Sequence, residues 1–252
     1  RAKNGRTHGT HVSGIIAADR TNGIGINGAA NNVKIMVIRN TPNGDEYDKD
    51  VALGVYYAVD NGAKVINMSF GKQFSPHSDW VRDAIAYAAK KDVLIVAAAG
   101  NDGENTDQIN YFPNDQINNG DEVSNTFLKV GAIGPKYSST LVAEYSNYGK
   151  NTVDVFAPGS QIYSTYPKDK YEFASGTSMA APLVAGVAAL VFSQYPNLSA
   201  AQVKQILITS GITINKKVSL ENGTIVPFSE LSKSGKIVNA YNALIMASKV
   251  SK

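Results

Sequence analysis

The chain has no cysteine in its 252 residues, which excludes disulfides and thiolate metal sites. It has one tryptophan and only three histidines, so imidazole chemistry can arise at very few positions. Neither sign of charge dominates: 24 basic and 21 acidic residues give a formal +3, too balanced to point to nucleic acid as a partner. Basic pairs such as Lys90-Lys91 and Lys216-Lys217 read as solvated ends of elements. No apolar run is long enough for a membrane span. The longest, Met179 to Phe192, falls short of the ~20 residues required and is expected to be a buried helix.

What is present suffices for a full core. With 43% hydrophobic and 18% charged residues, residues 1–252 fit one large α/β domain, and neither a repeat nor a linker interrupts them. Helices are expected over Gly9 to Asp19 and over Asp48 to Asn61, the latter ended by Gly62. Strands are expected at Val33–Ile38, Lys64–Met68 and Val93–Ala97. The last is apolar throughout, as when helices cover both faces of a sheet. Val81, Ala84, Ile85 and Ala88 recur at helical spacing after Ser78, a fitting cap. Ser199 and Gln202 are spaced as a capping box, ahead of Val203, Ile206 and Leu207 on an inner face. Residues 102–126 read as a surface loop, and 212–236 as a peripheral hairpin turning at Glu221-Asn222-Gly223. The alternation predicts a three-layer α/β sandwich with a mostly parallel central sheet and a site at the carboxyl ends of its strands.

Three segments carry chemistry. Gly176-Thr177-Ser178-Met179-Ala180-Ala181-Pro182 hands a serine to a helix N-terminus, with Pro182 expected in the first turn, where its missing N–H costs nothing. A serine hydroxyl needs a base within reach, and His8-Gly9-Thr10-His11 offers the usual one. The developing oxyanion needs a fixed donor, and Asn101 stands on a glycine turn after Ala98-Ala99-Gly100. Gly23 to Gly28 matches Gly-x-Gly-x-x-Gly. It follows a helix and precedes a strand, the reverse of a dinucleotide site, so it reads as a turn.

In the order His, Asn, Ser, these segments resemble the subtilisin-like serine peptidases, the subtilases. Val65-Ile66-Asn67-Met68-Ser69-Phe70-Gly71, Tyr145-Ser146-Asn147-Tyr148-Gly149 and Val153 to Gly159 are similar to further segments of that family. The resemblance implies Ser178 as nucleophile, His8 as base and Asn101 as oxyanion donor, in an endopeptidase acting on polypeptide through an acyl-enzyme. It implies that Ser69, Phe70 and Gly71 pair with substrate, and that Ala98, Ala99 and Gly100 line the primary specificity pocket. Tyr111-Phe112-Pro113 resembles a segment with a cis proline beside that pocket. No role follows for His11, expected to be packed or hydrogen-bonded, nor for His77, expected at the surface.

One departure matters. The family carries its triad aspartate in an Asp-Ser/Thr-Gly motif at the end of a strand upstream of the histidine, and residues 1–7 hold no acidic residue. Strand and carboxylate are therefore expected from outside this chain, in an N-terminal segment of the same gene product. Calcium is the one candidate cofactor: the family's loop matching Asn22 to Gly28 often binds it, but its acidic ligand is not found here. The resemblance also implies an extracytoplasmic location. The competing reading is a catalytically silent peptide-binding module, against which the intact Ser, His and Asn argue.

Overall fold

The computed structural model describes residues 3–41, 44–117 and 120–251. In chain order the elements are α1 (Lys3–Ala17), α2 (Asp48–Asp60), β1 (Val65–Met68), α3 (Ser78–Lys90), β2 (Leu94–Ala98), β3 (Phe127–Ile133) and β4 (Val155–Pro158). They continue with β5 (Ile162–Tyr166), β6 (Lys170–Ala174), α4 (Thr177–Gln194), α5 (Ala200–Thr209), β7 (Ile212–Thr213), β8 (Lys217–Ser219), β9 (Ile225–Pro227), β10 (Lys236–Ile237) and α6 (Ala240–Val250). The main sheet runs β1-β2-β3-β4-β10-β7. Every pairing in it is parallel except that of β10 with β7.

The apolar strand β2 shows how the layers form. Leu94, Val96 and Ala98 face one way, into a core built with Val184, Ala188 and Leu207 of α4 and α5. Ile95 and Ala97 face the other way, against Val55, Val81 and Ile85 of α2 and α3. Successive side chains of a strand alternate faces, so a strand covered on both sides must be apolar throughout. Helix α4 is buried along most of its length, which accounts for an apolar run that is long but not membrane-spanning. Helix α1 docks on it through Val12, Ile15 and Met179.

Several local expectations hold. The stripe of α3 is buried, the Ser199–Gln202 capping box closes in both directions, and β8 and β9 form the hairpin turning through Gly223. Others are corrected. Helix α1 begins at Lys3 rather than Gly9 and ends at Ala17. Ser78 is not the cap of α3: it is the first helical residue, and His77 precedes it. Asp48, one helix away, accepts the His77 N–H at 2.9 Å. The 102–126 stretch is irregular but not all surface, since Thr106, Tyr111, Asp115 and Ser124 are buried.

The largest correction concerns residues 33–38, which form no strand. Ile38 packs toward α2, its Cγ2 3.3 Å from where a Cβ on Gly54 would sit. Ile35, Met36 and Val37 are 41%, 42% and 80% exposed. A strand requires a ladder partner, and β1 pairs only with β2, leaving its other edge open.

Beneath the irregular stretch lies a buried ionic cluster. Lys129, within β3, is 3% exposed and donates to the Tyr111 carbonyl at 3.0 Å. Nearby, Lys204 and Lys233 pair with Glu122 and Asp154. Burial, then the charge of Glu122, pushes Asp115 up to about 7 from 3.8. Burial likewise pulls Lys129 down to about 8, against the charges of Asp115 and Asp154. The folded chain thus keeps the Asp115 proton to higher pH than the unfolded one, and this carboxyl erodes stability as pH rises from about 4 to about 7. Asp115→Asn should remove that slope. Relative to wild type it should gain on the order of 2–4 kcal/mol between pH 4 and pH 8, read from thermal unfolding at both; parallel curves would mean that Asp115 titrates normally.

Candidate active site

The carboxyl ends of β1 and β2 lead directly into the residues singled out above. Ser69, Phe70 and Gly71 follow β1, and Ala99, Gly100 and Asn101 follow β2, with Ala98 its last residue. The N-terminus of α4 abuts both segments. Ser69 Oγ donates to the Ser178 carbonyl at 2.9 Å, and Ser178 Oγ donates to the Ser69 carbonyl at 3.1 Å.

The first of these bonds resolves the position of Pro182. Because α4 begins at Thr177, Pro182 lies in the second turn rather than the first. Its missing N–H would have bonded four residues back, to Ser178. Ser69 supplies the hydrogen bond that the proline removes.

Asn101 is held by its oxygen. Oδ1 accepts from the Thr177 N–H at 2.8 Å and from Thr177 Oγ1 at 3.0 Å. An NH2 group cannot accept from a backbone N–H, so these bonds fix the amide's orientation and turn Nδ2 outward. Among the described residues neither Asn101 Nδ2 nor the Ser178 N–H has a hydrogen-bond acceptor. Both lie 3.6 Å from one point, the position a Cβ on Gly176 would occupy. Gly176, at φ 153°, leaves that position vacant.

Two residues that carried no role in the motifs complete the scaffold. Thr177 Oγ1 also accepts from the Gly100 N–H at 3.1 Å. Asn147, fully buried, accepts from the Asp102 and Glu104 N–H groups, both at 3.0 Å, and donates to the Ala99 carbonyl at 3.1 Å. The Tyr-Ser-Asn-Tyr-Gly segment was the available signal for Asn147, but its target, the 99–104 turn, lies more than forty residues away. The Phe112–Pro113 bond is cis.

His8 continues the α4-facing stripe of α1 one turn before Val12, at the i, i+4, i+7 spacing with Val12 and Ile15. Among the described residues no hydrogen bond joins it to Ser178. Its ring reaches solvent, yet the protein around it strips part of its hydration, and His11 adds positive charge. Both hold its pKa below the usual 6.5. His11 is buried, its Nε2 3.1 Å from the carbonyls of both Ile162 and Glu172. His77 is at the surface, stacked on Trp80.

The glycine loop does not fit calcium unaided. Asn22 Oδ1 is spent on the Ile24 N–H at 2.9 Å, and residues 20–28 include no carboxylate. Among the described residues no group of three or more His, Asp or Glu side chains is gathered for a metal.

A mostly parallel sheet covered by helices on both faces, with Ser178 and Asn101 at its carboxyl edge, defines a subtilisin-like architecture. The family model for the subtilases matches residues 1–233, and the chain belongs to that family. It is 39% identical over 238 residues to the thermophilic serine proteinase of Bacillus sp. (strain AK1), covering 94% of this chain and 52% of the relative. It is 40% identical over 203 residues to the cell wall-associated protease of Bacillus subtilis (strain 168), covering 79% of this chain and 20% of the relative. A solved protease of Pseudoalteromonas arctica superposes with a TM-score of 0.75 at 32% identity, covering 95% of this chain and 70% of that one. The chain therefore spans about half of the first relative and a fifth of the second.

The electrostatics of His8 give a direct test. In NMR titration of this chain, its ring protons should shift with a midpoint below 6.5. A midpoint above 6.5 would mean that a carboxylate of this chain already stands beside it.

Proposed function

We propose that residues 1–252 form most of a single catalytic domain of a serine endopeptidase. The observation supporting this most strongly is the convergence of Asn101 Nδ2 and the Ser178 N–H on the space left open by Gly176. Two unengaged donors equidistant from one point, one of them the N–H of the serine itself, suit the oxyanion of a tetrahedral intermediate. Ser178 Oγ, released from the Ser69 carbonyl, attacks the peptide carbonyl. His8 takes its proton and later returns it to the leaving amine, with an acyl-enzyme between the two steps. Ser69, Phe70 and Gly71 pair with extended substrate as an added strand, and Ala98, Ala99 and Gly100 wall the pocket for the residue before the scissile bond.

The triad carboxylate arrives on a strand inserted between residues 33–41 and β1. Three observations support an occupant there: the unpaired edge of β1, the exposed apolar run Ile35-Met36-Val37, and Asn67 Oδ1, buried without a partner. Each orphaned buried group costs about 1–3 kcal/mol, so filling the slot is strongly favoured. We assign the strand to an N-terminal segment of the same gene product. Calcium would need a carboxylate from beyond the 20–28 loop and takes no part in the reaction. An extracytoplasmic location is supported by the name of the cell wall-associated relative and accords with the lack of cysteine.

Asn101→Leu should lower kcat by roughly 10²–10³ with KM little changed; a loss confined to KM would remove Asn101 from the oxyanion role. A fluorophosphonate probe should label Ser178 and leave Ser178→Ala unlabelled. Failure to label the wild-type protein would favour the silent peptide-binding module. Supplying the N-terminal segment should raise both the melting temperature and the His8 pKa, since a carboxylate beside the ring favours its charged form. A segment that raises neither would not be the missing strand.

A further inference from the structure

The two segments assigned to the walls of the specificity pocket are already in contact with a side chain of this same chain. Tyr111 Cε1 lies 2.5 Å from where a Cβ on Gly71 would sit, and Tyr111 Cζ lies 2.5 Å from where one on Gly100 would sit. No real Cβ tolerates such an approach, so both walls are glycine where the phenol ring rests on them. The ring thus lies between the 69–71 wall and the 98–100 wall, and Tyr111 is only 9% exposed.

The ring is fixed from behind. The Tyr111 carbonyl accepts from Lys129 Nζ at 3.0 Å and from Asn114 Nδ2 at 3.3 Å. Phe112 exchanges hydrogen bonds with Lys72, one residue past Gly71, at 2.8 and 3.0 Å. Backbone ties on both sides oppose a swing of the segment away from the walls. Burial and the nearby charges of Asp102, Glu46 and Asp45 push the phenol up to about 12, so the ring stays neutral and ordered at working pH.

We propose that Tyr111 fills the primary specificity pocket and restricts the residue preceding the scissile bond to glycine, alanine or serine. This rests on the assignment of the two walls in the proposed function. A side chain the size of leucine or phenylalanine would have to occupy the volume the phenol holds.

Binding tests this without requiring turnover. Blocked tetrapeptides ending in alanine or phenylalanine would be titrated against the whole chain, and Ser178 labelling by fluorophosphonate read separately on the same sample. Wild-type protein should favour the alanine peptide by roughly 10–200-fold. Tyr111→Ala should reverse the order, and Tyr111→Phe, which keeps the ring, should preserve it. Equal binding of the two peptides by wild type, binding of neither, or an unchanged preference in a folded Tyr111→Ala protein would overturn the proposal. If Tyr111→Ala does not fold, the wild-type ratio decides alone. Loss of labelling with the alanine preference intact would instead count against the catalytic reading.

Discussion

The hydrogen bonds of Thr177 are the constraint on which the rest of the site depends. Its N–H and hydroxyl both reach Asn101 Oδ1, and its hydroxyl receives the Gly100 N–H. One residue at the start of α4 is thereby joined to the turn after β2. The consequences follow in sequence. The helix is tied against rotation about its axis, so the Ser178 N–H stays within 3.6 Å of the point that Asn101 Nδ2 also approaches. The amide of Asn101 cannot flip, so a donor rather than an acceptor faces the cleft. Gly176, preceding the threonine, sits at φ 153°, a conformation that L side chains rarely adopt.

The parallel sheet supports this arrangement from below, and it ends at β1. β2, β3 and β4 each have neighbours on both sides, while β1 ends the sheet although its residues are as apolar as an interior strand's. Stable edge strands are usually charged, short or covered. Val65, Ile66 and Met68 carry no such protection. An apolar open edge beside a second apolar segment, residues 33–38, is what the proposed inserted strand would cover. The proposed catalytic carboxylate and the proposed structural filler are for that reason one and the same segment.

What could be read from the sequence was what is settled locally. The all-apolar β2, the stripe of α3 and the Ser199 capping box each depend on residues within a few positions, and each was legible. The errors arise where a distant group decides. Residues 33–38 have every preference of a strand, but pairing is a property of two segments, and no described strand lies beside them. Ser78 looked like a cap because nothing nearby announces that Asp48 takes the turn ahead of α3. Pro182 was placed one turn early because the start of α4 is set by Asn101, far upstream. At the site, the motifs that hold Ser178, His8 and Asn101 were legible, and Thr177, the residue before Ser178, is joined to Asn101. The ties of Thr177 and Asn147 were not legible, since their partners lie 77 and 45 residues away. Tyr111 was legible only as part of a segment beside the pocket, and its contact with Gly71 was not.

The buried lysine of β3 illustrates how such distant coupling is maintained. An ammonium in the middle of an apolar strand is costly unless its hydrogen bonds and charge are met. Lys129 meets them with the Tyr111 carbonyl and with the carboxylates of Asp115 and Asp154 close by. The lysine contributes position more than stability. An apolar residue there would pack β3 equally well but would leave the Tyr111 carbonyl with Asn114 alone. The ionic cluster under the 102–126 stretch therefore determines where the phenol sits between Gly71 and Gly100. In the proposed reading of Tyr111, selectivity therefore depends on charges buried on the far side of the loop.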